Sequence, residues 1–235
     1  MKTIHSHPSL RSFPRFVFSR LRPCSVLGLI SVALPSAAQA FWINEFHYDN
    51  SGTDIGEFVE IVAPSDFTAL ATVRLTLYNG GDGAPYGSSH LLSGFTPGAS
   101  ASGLTVYSKF IGGLQNGAPD GFALDVSGDV RQFVSYEGRF AATAGPAAGR
   151  MSIEVPFSES EGTPVGASIG MTGLGREVNE FVWNSSSIST PGFFNTGQSI
   201  SAVPEPGSYA LVAGLMLGGF AWWRRSGMAR RAVHP

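Results

Sequence analysis

Apolar and polar positions alternate in short runs from Phe41 to about Gln198, and turn residues split these runs every 8–15 positions. "VRLTLYN" sets Val73, Leu75 and Leu77 on one face and Arg74, Thr76 and Tyr78 on the other. In "GFALDV", Phe122, Leu124 and Val126 share a face. "SGD" at Ser127–Asp129 then turns the chain into "VRQFVSY", which predicts a hairpin over 121–136. "NGGDG" at Asn79–Gly83 predicts another turn. No stretch of twelve residues in this region carries a helical stripe. Short strands, many glycines and no helices predict an all-β fold, an antiparallel β-sandwich. The ends follow another pattern. "CSVLGLISVAL" (24–34) is an uninterrupted apolar run of eleven residues, and "GSYALVAGLMLGGFAWW" (207–223) is one of seventeen.

Charge sharpens this division. Residues 1–40 hold five bases and no acid, whereas 41–203 holds sixteen acids against six bases, a net charge of −10. So base-poor a domain argues against binding a nucleic-acid backbone. The first apolar run follows basic residues and precedes "PSAAQA", in which Ala38 and Ala40 occupy the small-residue positions of a cleavage site. Residues 1–40 therefore read as a secretory signal peptide, with signal peptidase as an implied partner. Eleven helical residues reach only about 16 Å, too short for a bilayer core. The only cysteine, Cys24, lies in this run, so the domain after Ala40 has no disulfide and no thiol nucleophile.

The second run at 1.5 Å per residue reaches about 25 Å, the lower limit for a spanning helix. Trp222 and Trp223 suit a membrane interface, and Arg224 and Arg225 suit a stop-transfer pair on the cytoplasmic side. Pro204 and Pro206, flanking Glu205, predict an extended, accessible strand just outside the bilayer. Pro204-Glu205-Pro206, a short apolar helix and Arg224-Arg225, in that order, resemble the PEP-CTERM sorting signal. The resemblance implies that an exosortase-like membrane protease reads the motif and hands the domain on to the cell envelope or extracellular matrix. It also implies a Gram-negative bacterium that makes exopolysaccharide. The expected organisation is 1–40 signal peptide, 41–198 sandwich, 199–203 linker, 204–227 sorting signal and 228–235 basic cytoplasmic tail.

"FWINEFHYDNSGTDIGEFVEIVAP" (41–64), "LTLYNG" (75–80), "GLQNGAPDGFAL" (113–124), "FVSYEG" (133–138) and "STPGFFNTGQ" (189–198) together resemble a lamin-tail domain, which implies an immunoglobulin-like sandwich.

Candidate chemistry concentrates in "HYDNSGTDIGEFVE" (47–60). Asp49, Asn50, Asp54 and Glu57 are candidate Ca²⁺ ligands, being oxygen donors in a glycine-containing loop, although the spacing departs from the EF-hand pattern. The plainer reading of the same loop is polar turns, with Glu45, Glu57 and Glu60 pairing across the sheet or bonding backbone at its edge. Glu57 and Glu60 are three apart, so in a strand they face opposite ways and do not form a glycosidase pair. His47 and His90, the only histidines between 41 and 203, lie in no catalytic motif. Tyr48, Tyr78, Tyr86, Tyr107 and Tyr136 are candidates for stacking on sugars if they share a surface. The reading is an exported, non-enzymatic protein without a required cofactor, with exopolysaccharide as a candidate partner. Two alternatives remain: a permanently membrane-anchored adhesion module, and a secreted hydrolase or nuclease in which His47, Asp54 and Glu57 converge in one pocket.

Overall fold

The structure is a computed structural model that describes residues 40–202 and 206–231. Residues 1–39 of the expected signal peptide, Ala38 among them, and residues 203–205, with Pro204 and Glu205, lie outside the described residues, as does the tail after Arg231. Twelve strands follow one another: β1 (Trp42–His47), β2 (Phe58–Pro64), β3 (Val73–Asn79), β4 (Ala84–Leu91), β5 (Thr96–Ala101), β6 (Leu104–Phe110), β7 (Asp120–Val126), β8 (Asp129–Tyr136), β9 (Ile153–Glu154), β10 (Ser168–Gly175), β11 (Val182–Ser186) and β12 (Gln198–Ile200). A helix, α1 (Pro206–Arg231), closes the described chain.

The strands form two sheets. One runs β11-β10-β1-β2-β6-β5, with β12 also on β10; the other runs β4-β3-β7-β8-β9. The β7–β8 hairpin forms where the pattern places it. Ser127 and Gly128 both adopt positive φ, as a two-residue primed turn demands, and Val126 pairs with Asp129. Two ladders depart from the expected antiparallel arrangement: β9 pairs parallel with β8, and β12 parallel with β10. In each case a long connection, 137–152 or 187–197, carries the chain back before it rejoins the sheet, which a tight hairpin cannot do.

The main core lies between the sheets. Ile43, Phe46, Val59 and Ile61 from one sheet meet Val73, Leu75, Phe122, Leu124 and Val134 from the other. Alternation accounts for these positions, with one correction. The β1–β2 register shifts between Ile43 and Glu45, so the bulge at Asn44 lets Ile43 and Phe46, three apart, both face inward. The outer faces are covered as well. Tyr78, Ala123 and Phe133 pack under Phe140, Ala142 and Ala147. Trp42, Val62, Leu104 and Val106 pack with Met171 and Phe181. All residues of β1 and β2 are therefore buried, on both faces.

The expected tyrosine surface does not exist. Tyr48, Tyr78, Tyr107 and Tyr136 are all buried and Tyr86 is half-buried. Tyr48 stacks on Tyr136 with ring centroids 3.9 Å apart, because the rings' apolar area is worth more inside the sandwich than in water.

Pro206 is the first residue of α1 rather than part of an extended strand. The helix N-terminus tolerates proline because the missing N–H has no intrahelical partner there. α1 also runs through Arg224 and Arg225 and past Gly227, where the basic tail was expected to begin. Among the described residues no helix is long and apolar enough to cross a membrane. Serine, tyrosine and glycines dilute the start of the run, and the stretch from Ala210 to Ala221 covers only about 18 Å of rise.

Candidate functional site

Two buried polar centres flank β1. The first is built on the loop that the sequence singled out. His47, at the end of β1, holds Nδ1 at 2.9 Å from Glu159 Oε1 and Nε2 at 3.1 Å from Asn50 Oδ1. Burial lowers the histidine's proton affinity, but the Glu159 carboxylate and Asn50 outweigh it and the net pKa is raised. Both ring neighbours are acceptors, so the doubly protonated ring satisfies them both. Glu159 Oε2 accepts from the backbone N–H of Tyr48 (2.6 Å) and Asp49 (3.2 Å), and the Glu159 N–H donates to the Tyr48 hydroxyl (2.6 Å). That hydroxyl donates to Glu137 Oε1 (2.8 Å), and burial raises its pKa. Glu159 is thus the hub, from a segment 112 residues away from His47.

Asn50 organises its own loop. Its Nδ2 donates to the carbonyls of Ser51 and Thr53, and its Oδ1 accepts from the Ile55 N–H (3.0 Å). Asp54 accepts from the Asn50 N–H (3.3 Å) and from Asn116 Nδ2 (3.4 Å). Asp49 lies beside Asp54; burial and that second carboxylate raise its pKa. Glu57 points elsewhere. Its Oε2 accepts from the Gly113 N–H (2.7 Å), its Oε1 has no hydrogen-bond partner among the described residues, and burial raises its pKa. Of the four candidate Ca²⁺ ligands, Asn50 is engaged by its own turn and Glu57 by the 111–114 loop, and Asp49 lies beside Asp54. Among the described residues no three His, Cys, Asp or Glu side chains converge as metal ligands.

The second centre was not singled out as a unit. It lies on the outer face of β1 and β2, under the 189–198 segment. Glu45 accepts from the Ser168 hydroxyl (2.5 Å), the Thr190 N–H (3.0 Å) and the Thr190 hydroxyl (2.9 Å). Glu60 accepts from Asn44 Nδ2 (2.9 Å) and the Gly192 N–H (2.7 Å). Burial pushes the Glu60 carboxyl up to about 8 against the lowering pull of Asn44, and the neighbouring Glu45 adds to the rise; burial raises Glu45 too. Asn195 closes the clamp: its Nδ2 donates to the carbonyls of Asn44 (3.1 Å) and Met171 (2.9 Å), and its Oδ1 accepts from the Thr190 hydroxyl (3.0 Å). Gly170 leaves the room for this amide, since a Cβ there would stand 2.6 Å from Asn195 Nδ2. Gln198 Nε2 donates to Asn44 Oδ1 (2.7 Å), which also accepts from the Trp42 indole (2.9 Å).

Both centres use their hydrogen-bonding groups to hold chain segments together. Glu45 and Glu60 bond the backbone of the closing segment, and Glu57 that of the 111–114 loop. The polarity of 47–60 marked the first centre; nothing in sequence marked Glu159 as its hub, nor Asn195 as the clasp of the second. His47 is buried with both ring nitrogens bonded. Ala40 packs against the outer cluster of the first sheet, and β1 begins two residues after it. Arg224 and Arg225 are exposed on α1, and the Arg224 guanidinium lies 5.8 Å from the Phe220 ring centre. Comparison of the chain with protein-family models, curated proteins and solved structures finds no match.

Proposed function

We propose that this chain is an exported, non-enzymatic cell-envelope or extracellular-matrix protein. In this reading a lamin-tail-like, immunoglobulin-type sandwich is delivered by a signal peptide and sorted through a PEP-CTERM tail. The observation that carries the proposal is the tail. Val212, Leu215, Met216, Leu217, Phe220, Trp222 and Trp223 are all exposed around α1, Leu215–Leu217 at three successive positions. A helix that is apolar all round needs an apolar environment, and water does not supply one. Its run falls short of a full bilayer crossing, which suits a segment that lodges while Pro204-Glu205-Pro206 is read and is then discarded. The start of β1 just after Ala40 supports the cleavage site: removal of 1–40 leaves intact every strand among the described residues. Signal peptidase and an exosortase-like protease are the partners of this pathway, and the matrix polysaccharide is a candidate partner of the released domain.

Intact mass of the protein isolated from its native host, in membrane and medium separately, tests the proposal. The expected result is a membrane form beginning at Phe41 and a released form ending near Pro206. A released form that retains residues up to Pro235, or a chain that begins at Met1 in the cytosol, overturns it. A protein found only in the membrane with 207–235 intact favours the permanently anchored module instead.

A further inference from the structure

Among the described residues the two sheet paths end at β11, β5, β4 and β9, and three of these ends are defended. β5 carries Pro97 and Gly98 and an interrupted register, β4 carries Pro85 and Gly87 and a register shift, and β9 is only two residues long. Each device blocks the addition of another strand. β11, Val-Trp-Asn-Ser-Ser, has no proline, glycine, charge or bulge, and among the described residues no strand pairs with its outer side.

Beside this edge lies a groove of about 450 Å³. It opens between the margins of the two sheets, with Phe133, Met171, Phe181 and Trp183 in its lining. Ile153 lines it too and is 65% exposed, whereas Val182, next to Trp183 and so on the opposite face of β11, is 66% exposed. Arg131 and Arg150 also line it, two of only six bases between 41 and 203. Arg150 is fixed by a bond from Nη1 to the Val130 carbonyl (3.1 Å), and Arg131 pairs with the exposed Asp129 (3.3 Å). Asp129 opposes the charge of Arg131, and Arg150 adds a positive charge to the rim of an otherwise acidic domain.

We propose that β11 is a strand-addition site: it takes up an extended peptide segment of another protein, with alternating apolar side chains that enter the groove and acidic flanks that meet Arg131 and Arg150. Main-chain bonds along the edge supply affinity, and the groove and the arginines supply specificity. The mostly aliphatic and aromatic floor favours a peptide over a sugar chain. The inference goes beyond the sorting pathway and does not depend on whether the tail is removed.

The test is fluorescence anisotropy of the full chain in mild detergent with a labelled acetyl-Asp-Val-Thr-Val-Thr-Val-Glu-amide, and with a control bearing lysine at both ends. The expected result is saturable binding of the acidic peptide at or below about 100 μM, with the lysine-ended control at least about tenfold weaker. Val182→Lys, a change at an exposed position, should weaken binding about tenfold, and the double variant Arg131→Gln/Arg150→Gln should remove the preference for acidic ends. Equal affinity for both peptides, unaltered binding to Val182→Lys, or no saturation up to about 1 mM would overturn the proposal. Displacement of the peptide by polygalacturonate at equal mass, or a chain dimer that Val182→Lys abolishes in the absence of peptide binding, would reassign the surface and overturn it too.

Discussion

β1 and β2 bury both of their faces, and the two faces do so by different physics. Inward, Ile43, Phe46, Val59 and Ile61 lie against the second sheet without a polar atom among their side chains. Outward, Asn44, Glu45 and Glu60 carry hydrogen-bonding groups, and each is matched by a partner from 168 or from the closing segment at 190–198. The inner face tolerates many arrangements of similar volume, because hydrophobic burial is non-directional. The outer face does not: an unmatched buried polar group costs about 1–3 kcal/mol, so the clamp specifies one position for the closing segment.

The largest effect that separates the two faces is expected on the inner one. Phe46 meets the rings of Tyr48, Phe122, Tyr136 and Trp183, so Phe46→Ala should cost about 3–5 kcal/mol in urea unfolding. A cost below about 1 kcal/mol would mean that the sheets close up without it. On the outer face, Asn195→Ala strips a partner from the Asn44 and Met171 carbonyls and from the Thr190 hydroxyl, and should cost about 2–4 kcal/mol. Exchange of the amide hydrogens of Thr190 and Gly192 should rise at the same time, whereas amides in β7 should keep their order of protection, a regional split that distinguishes the clamp from the core.

A smaller effect is a pH dependence confined to the polar centres. Glu60 holds its proton up to about 8 when folded against an ordinary value of 4.5, so the unfolded chain binds fewer protons than the folded one across that interval. Stability is therefore greatest below about 4.5 as far as this group is concerned, and declines as pH rises toward 8. His47, raised above its ordinary 6.5, acts in the same direction: its contribution is complete below 6.5 and is lost as pH rises through its folded pKa. The melting temperature should fall between pH 5.5 and 8.5, and Glu60→Gln, which keeps an acceptor for Gly192, should flatten much of that slope. A slope unchanged by Glu60→Gln would remove the carboxyl from the account. The smallest effect is expected at Glu57. Glu57→Gln retains the acceptor for the Gly113 N–H and removes a desolvated charge, so unfolding free energy should move by less than about 1 kcal/mol. A larger loss would mean that the charge itself holds the loop.

Much of the inner face was legible in sequence. Val73, Leu75 and Leu77, and Phe122 with Leu124, announce themselves by a period of two, and Ser127-Gly128 fixes the turn between β7 and β8. The bulge at Asn44 was not legible, because Ile43 and Phe46 share a face only after a register shift that strand pairing imposes. The tyrosines show the limit of composition: an amphipathic ring fits a surface or a core, and only the position of Glu137, Ala144 and Gln115 near the Tyr48, Tyr78 and Tyr136 hydroxyls made burial favourable.

By itself the sequence determined the alternation that makes the chain a sandwich, the turns that order its hairpins, the acidic character of 41–203 and the apolar run that becomes α1, because each follows from local side-chain chemistry and spacing. Tertiary structure alone decided that Glu159 meets His47, that the backbone of Thr190 and Gly192 meets Glu45 and Glu60, that Asn195 meets the Asn44 and Met171 carbonyls, and that β11 is an undefended edge among the described residues. These pairings join residues up to about 150 positions apart, and a hydrogen bond depends on where two chain segments arrive in space, to within a few tenths of an ångström.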